Sequence, residues 1–307
     1  MKAIRIGTRG SRLAIWQANY VEHLLRQQHP GIALERIVIV TEGDSDQKTS
    51  LSVIGGQGVF TKTIEQALLE NRIDIAVHSL KDLPSKMTPG LTLAAVAQRG
   101  PVEDVLVTSD GRSLMELPEG AKLATGSIRR KSQLLNKRTD LELTDLRGNI
   151  DTRLQKLRDR DLSAIVMAKA AIVRLELKDV HYDTFTVNEM LPAAGQGAVG
   201  IEMREDDNRL SPYVESLNHL ETWLAVTAER AVLHELDTGC QFPVGAFGTI
   251  SPNRLILKGF VGSEDGKVVL REQVESDPYA AERAGTELAR KLISRGAREL
   301  LENNNKK

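Results

Sequence analysis

Two periods of apolar residues alternate along the first part of the chain. Ala3–Ile6 has the two-residue repeat of a strand, and Ser11–Gln27 carries Leu13, Trp16, Ala18, Tyr20, Val21, Leu24 and Leu25 at helical spacing. Ile37–Val40 reads as a buried strand, Phe60–Asn71 as a helix, and Ile73–Val77 as a strand running into His78-Ser79-Leu80-Lys81-Asp82-Leu83-Pro84. Between them Thr41–Gly58 is polar and rich in glycine. It is too long for an ordinary connection, which marks a functional or mobile loop.

The same order then starts again. Lys122–Ala124 is a strand, Ile128 to Lys137 a helix, Glu142–Leu146 a strand, Ile150 to Arg158 a helix and Ala164–Ala168 a strand. Ile6-Gly7-Thr8-Arg9-Gly10-Ser11-Arg12 resembles Ala124-Thr125-Gly126-Ser127-Ile128-Arg129-Arg130, and Ile75–Ser79 follows the hydropathy of Ile165–Lys169. Strands alternating with helices predict two α/β lobes with mostly parallel sheets. Such lobes face each other across a cleft at the carboxyl ends of their strands. The tail differs: a helix at Glu221–Leu236, strands at Val244–Ile250, Leu255–Val261 and Val268–Val274, and one long helix from Tyr279 to Leu301. These predict a smaller α+β C-terminal domain, as expected of a 307-residue chain too long for one core. The expected divisions are 1–97 with 198–216, then 103–193, then 220–307.

Composition narrows the partners. With 41 basic and 42 acidic residues the net charge is −1, and aromatic residues make up 4%. The balance gives no global footprint for nucleic acid, and the scarcity of rings argues against a base-stacking surface. The amino terminus has no apolar core of a leader and no run reaches the length of a membrane span, so a cytoplasmic protein without membrane attachment is expected. Anion binding must then come from local clusters. Arg129 and Arg130 fall in the first turn of a predicted helix, where the macrodipole disfavours cations. Arg9, Arg147 and Arg153 also lie at strand-to-helix junctions, each with Ser, Thr or Asn nearby. Such a set suits a ligand rich in carboxylate or phosphate, shared between guanidinium and helix N–H groups. The alternative is that these arginines pair with surface carboxylates.

Asp82 leaves a strand beside Lys81. A carboxylate there could stabilise positive charge developing on a ligand or shuttle a proton; it could equally close an Asx turn or pair with Lys81. Cys240 is the only cysteine. It excludes an internal disulfide and leaves a buried thiol, a reactive thiolate or an attachment point. Its setting, Thr238-Gly239-Cys240-Gln241-Phe242-Pro243, reads as an exposed turn. Gly195-Gln196-Gly197-Ala198-Val199-Gly200 fits a dinucleotide fingerprint by letter, but a strand follows it instead of a helix, so it reads as a flexible crossing between lobes. Histidines 23, 29, 78, 181, 219 and 234 show no ligand spacing, and no metal site is expected.

Six motifs in order carry a resemblance. Gly7-Thr8-Arg9-Gly10-Ser11, His78–Pro84, Thr125–Arg130, Leu146-Arg147-Gly148-Asn149, Ala194–Ala198 and Gly239–Pro243 follow the order seen in the porphobilinogen deaminase (hydroxymethylbilane synthase) family. The resemblance runs from Ile4 to about Leu301. It implies two lobes like those of type II solute-binding proteins plus a third domain, and a transferase that condenses four porphobilinogen molecules head to tail with loss of ammonia. It implies a dipyrromethane cofactor joined to Cys240 by a thioether, serving as primer. Asp82 would be the catalytic carboxylate, holding pyrrole N–H groups and stabilising the azafulvenium formed as ammonia leaves. Lys81, Ser79, Thr125, Ser127, Arg129, Arg130 and Asn149 would hold the cofactor, and Arg9, Ser11, Arg147, Arg153 and Gln196 the substrate.

The chain departs from the family at three places: Gly126 where a serine is common, Gln57 where a lysine is common, and Ala170-Ala171 in place of Ala-Gly. A monomer is expected, with Thr41–Gly58 covering the cleft during elongation. The rival reading is a two-lobed protein that binds an anion without chemistry, which leaves the third domain and its cysteine unexplained. A thiol-dependent hydrolase stands further off, since no His/Asn arrangement is suggested by spacing.

Overall fold

A computed structural model of the chain describes residues 3–41, 61–159, 161–239 and 241–304. The segment expected to cover the cleft, from residue 42 on, Gln57 within it, and Cys240 lie outside the described residues.

The first sheet contains β1 (Ile4–Thr8), β2 (Leu34–Val38), β3 (Ile75–Ser79), β4 (Leu91–Val96) and, from much later in the chain, β10 (Val199–Arg204). Their order is β2-β1-β3-β10-β4, with β10 antiparallel to both neighbours and the other four strands sharing one direction. The second sheet repeats this plan. It is built from β5 (Asp104–Val107), β6 (Lys122–Ala124), β7 (Glu142–Thr144), β8 (Ala164–Ala168) and β9 (Tyr182–Thr184), in the order β7-β6-β8-β5-β9. Here β5 is the single reversed strand. The motif likeness between residues 6–12 and 124–130 therefore falls on topologically equivalent junctions, after β1 and after β6. Likewise β3 and β8 occupy the same place in their sheets.

Alternation along the strands places helices on both faces. In the first lobe Ile75 and Val77 pack with Val21 and Leu25 of α1 (Arg12–Gln28), while Ala76 packs with Ile64, Ala67 and Leu68 of α2 (Lys62–Leu69). In the second, Leu106 and Leu123 pack with Leu134 of α3 (Ile128–Lys137). Val105, Ala124 and Ile165 pack with Leu154 of α4 (Ile150–Asp159) and Ile172 of α5 (Lys169–Arg174). Ala170 and Ala171 are buried in this short helix, so their methyl groups are accommodated.

After α6 (Ser211–Glu215), α7 (Leu220–Glu235) leads into an antiparallel sheet of β11 (Val244–Ser251), β12 (Arg254–Gly262) and β13 (Val269–Ser276). Leu255, Leu257, Val261 and Val274 pack with Val232 of α7 and with Leu288 and Leu292 of α8 (Ala281–Ser294). The single long terminal helix expected from the sequence is two. Gly296 takes φ +94°, a left-handed conformation that glycine adopts without strain, and α9 (Ala297–Asn304) starts after it.

Three strands escape the apolar pattern: β4, β5 and β9. All lie on the far side of their sheets, beyond the strands that begin each repeat. The crossing at Gly195–Gly197 is also unlike its expectation. All three residues are buried, and they are tied down by bonds from Gly100 N to Gly197 O (2.9 Å), Arg174 Nη2 to Gly197 O (2.7 Å) and Arg99 Nε to Gln196 O (2.9 Å). It is a packed joint, not a flexible one.

Candidate functional site

Lys81 and Asp82 lie in the 3-10 turn Leu80–Asp82, at the carboxyl end of the central strand β3. Both are half-buried. The stretch after the turn is fixed from the third unit. Arg230 of α7 donates to the carbonyls of Leu83 (3.2 Å), Pro84 (2.7 Å) and Ser85 (3.2 Å). On the same helix Glu229, fully buried, accepts two bonds from Arg99 (2.6 and 3.0 Å) and one each from Gly195 N and Gly248 N. One turn of α7 thus holds the start of the inter-lobe joint and the exit of the Asp82 turn.

Across from this turn stands the amino end of α3. Ser127 caps the helix, its Oγ accepting from Arg130 N at 3.4 Å, and Thr125 Oγ1 accepts from Ser127 N at 3.3 Å. Thr125 is buried. No acidic residue occupies the first turn of α3, yet two arginines do. Their counter-ion is Asp104, the first residue of β5, which is wholly buried. Arg129 Nη2 lies 2.8 Å from Asp104 Oδ2, and Arg130 reaches Oδ1 through Nη2 at 2.7 Å and Nε at 3.1 Å. Further donors go to Leu191 O from Arg129 and to Val166 O from Arg130. Two arginines at this helix end thus have an internal counter-ion, so the macrodipole alone does not require an outside anion to balance them.

Gln196 is the connector. It is fully buried, with Nε2 donating to Val102 O (2.7 Å) and Asp104 Oδ1 (2.9 Å) while Oε1 accepts from Lys81 Nζ (3.2 Å). With its amide so engaged, Gln196 orients Lys81 and Asp104 and does not itself reach into the cleft. Ser79 Oγ accepts from Gln17 of α1 at 2.8 Å. Ser11 caps α1 through Ala14 N. Arg9 is half-buried in the turn after β1.

The third junction follows β7. Asn149 caps α4, its Oδ1 accepting from Thr152 N (2.9 Å) and Thr152 Oγ1 (3.0 Å). Arg153 Nε donates to Gly148 O at 2.8 Å. Arg147 carries a buried Nη2 with no hydrogen-bond partner among the described residues. Gly126 stands close to this junction, and a Cβ there would lie 2.8 Å from Leu146 O. The backbone carbonyl cannot yield as a side chain would, so a serine at 126 does not fit this chain without a shift.

The charges act on one another. Burial drives the Lys81 ammonium down to about 8, and Arg130 and Arg129 add to the fall while Asp82 and Asp104 oppose it. Burial likewise brings Arg153 down to about 10, with Arg130 and Arg147 reinforcing and Asp82 opposing. Burial raises the Asp104 carboxyl, but Arg129 and Arg130 override this and hold it well below the usual carboxylate range. Lys81, Asp82, Arg129, Arg130, Arg147 and Arg153 therefore form one electrostatic unit, assembled from the ends of β3, β6 and β7. Among the described residues, no group of three or more His, Cys, Asp or Glu is arranged to hold a metal ion.

Asp104, Arg99, Glu229 and Arg230 are missing from the sequence expectations. Asp104 bonds to Arg130, 26 positions away, across a strand that the apolar pattern does not reveal. No short-range signal marks it.

A two-lobed α/β protein with a cluster of cations around Asp82, completed by a third α+β unit, is the class these features define. The chain belongs to the porphobilinogen deaminase family. The family's model for "Porphobilinogen deaminase, dipyromethane cofactor binding domain" matches residues 4–212, and that for "Porphobilinogen deaminase, C-terminal domain" matches residues 223–294. The porphobilinogen deaminase of Syntrophotalea carbinolica is 44% identical over 299 residues, covering 97% of this chain and 95% of that one. Among solved structures, a periplasmic substrate-binding protein of an ABC transporter from Coxiella burnetii aligns at TM-score 0.43 and 16% identity, over 70% of this chain and 91% of its own. An arginine-specific periplasmic binding protein of Salmonella typhimurium aligns at 0.40 and 14%, over 71% and 92%. No helix among the described residues is long and apolar enough to cross a membrane.

Proposed function

We propose that this protein is a transferase that condenses porphobilinogen head to tail, four molecules per product, releasing one ammonia at each step. The observation that carries the reading is the carboxylate Asp82 set among Lys81, Arg130, Arg147 and Arg153 at the strand ends. Porphobilinogen brings two carboxylates per ring, so the growing product is a polyanion and needs such a local field in a chain of net charge −1. Each condensation breaks the aminomethyl C–N bond, forms a C–C bond to a pyrrole α-carbon, and passes that carbon's proton out with the departing ammonia. Positive charge develops on the pyrrole as the C–N bond breaks, and an ionised Asp82 stabilises it and accepts the ring N–H.

The residues present fit a dipyrromethane. Two short anionic arms per ring match the cations held at fixed places by Asp104 and Gln196. When bound through Cys240, the cofactor supplies the free pyrrole α-carbon on which the product is built. Lys81, Arg129 and Arg130 would hold its carboxylates, with Ser79, Thr125, Ser127 and Asn149 shaping the helix ends. Arg9, Ser11, Arg147 and Arg153 would receive incoming rings. Gln196 serves by orienting Lys81. The chain would work as a cytoplasmic monomer divided as 1–97 with 198–216, 103–193 and 220–307.

The test is intact mass of the denatured protein beside Cys240→Ser. Incubation with porphobilinogen should add two linked pyrrole rings to the wild type and none to the variant; an unmodified wild type that releases no ammonia would sink the reading. Asp82→Asn should load or bind the polyanion yet lose about 100-fold or more in turnover. Unchanged turnover would remove Asp82 from the chemistry.

A further inference from the structure

We propose that Asp104 is a positioning residue, whose buried carboxylate fixes the guanidinium groups of Arg129 and Arg130 and, through Gln196, the Lys81 ammonium as one preassembled cationic face for the carboxylates of cofactor and substrate. This rests on the reaction proposed above.

Asp104 has no exposed surface and joins three elements: β5 itself, the amino end of α3, and the joint that carries Gln196. Its Oδ1 accepts from Arg130 Nε, Arg130 Nη2 and Gln196 Nε2, and Oδ2 meets Arg129 Nη2. Among the described residues Oδ1 accepts three bonds while Oδ2 is held by the Arg129 ion pair alone, and the buried charge is not screened by water. Its effect is on the orientation and charge of its neighbours. Arginine side chains lose rotamer freedom when they grip a ligand, and here that loss is met during folding. Lys81 gains as well. It is faced by Arg129 and Arg130 from α3, by Asp82 from its own turn and by Asp104 from β5, with Gln196 bridging. Of these, Asp104 is the anion with no exposed surface, so it supports the Lys81 proton from inside the protein.

Two opposite results are possible on removing the charge. If Asp104 positions the face, anions bind less well without it; if it merely competes for the same cations, they bind better. Full-length Asp104→Asn is therefore compared with wild type in two ways: the rate at which each gains the two-ring mass from porphobilinogen, and the alkaline limb of kcat/KM against pH. Loading should slow by about 10-fold or more, as for outer partners that orient ligand-holding groups. The alkaline limb should move to lower pH, because Lys81 loses a neighbouring negative charge. Loading at the wild-type rate or faster, or an unmoved limb, would overturn the proposal. Should Asp104→Asn fail to fold, Gln196→Met keeps every charge and cuts the link from Asp104 to Lys81. It should move the limb in the same direction by less, and an unmoved limb would again overturn it. A wild type that neither loads nor turns over porphobilinogen would refute the reaction instead, so the two failures are distinct.

Discussion

At the end of β1, Ser11 accepts from Ala14 N and starts α1; at the end of β6, Ser127 accepts from Arg130 N and starts α3. The backbone solution is shared, and so is the basic residue that follows. The charges are handled in contrary ways. Arg12 is exposed and reaches from the first lobe to Asp151 of α4 in the second, a pair open to water on both sides. Arg129 and Arg130 are buried on Asp104. One junction thus keeps its cation free to exchange partners, whereas the other fixes two cations before any ligand arrives. The comparison teaches that a repeat in fold need not be a repeat in function.

The largest effect should come from Arg130→Leu. It leaves Asp104 buried with one partner fewer, and a broken buried pair costs about 3–5 kcal/mol. Urea unfolding of the variant checks this, and a loss no greater than that of Arg12→Ala would erase the contrast between junctions. A pH experiment sharpens it next. Lys81 is in the first lobe, but the α3 arginines help to depress its ammonium to about 8, from a usual value near 10.5. The cation is complete well below pH 8 and is lost as pH rises through it, so kcat/KM should fall on that side. Lys81→Arg, which does not titrate in this range, should flatten the limb. Smaller effects test the shared part of the design. Ser11→Ala and Ser127→Ala should each cost about 1 kcal/mol, and a marked inequality would show that the caps are not equivalent. Arg12→Ala should cost at most about 1 kcal/mol, as an exposed ion pair does, and less at high salt.

Much of this was legible in the chain. Helices α1, α3 and α4 and strands β6 and β8 follow from apolar spacing and polar caps, because those signals are local. The likeness between residues 6–12 and 124–130 pointed to equivalent junctions, and the fold places them so. The break at Gly296 was hidden by apolar spacing that runs on through it. Strands β4, β5 and β9 were missed because their pairing depends on segments far away in sequence. Asp104 was missed for the same reason: a carboxylate opening an unrecognised strand has no neighbour in sequence to betray it. Gln196 lies in a motif that the sequence shows, but the inward turn of its side chain onto Asp104 and Lys81 is not visible there. Sequence spacing reports which residues share a junction; it does not report which of their donors are already taken.

The insertion of β10 between β3 and β4 has a bearing on synthesis. Neither β3 nor β4 pairs with the other; each pairs with residues 199–204, which leave the ribosome only after the whole second sheet. That second sheet is drawn from one continuous stretch, Asp104 to Thr184. The nascent first lobe must therefore wait with a slot in its sheet, and with two strand edges open, while its sister closes. The unit translated first is the one completed later, and the cleft between them cannot exist until its younger wall is standing.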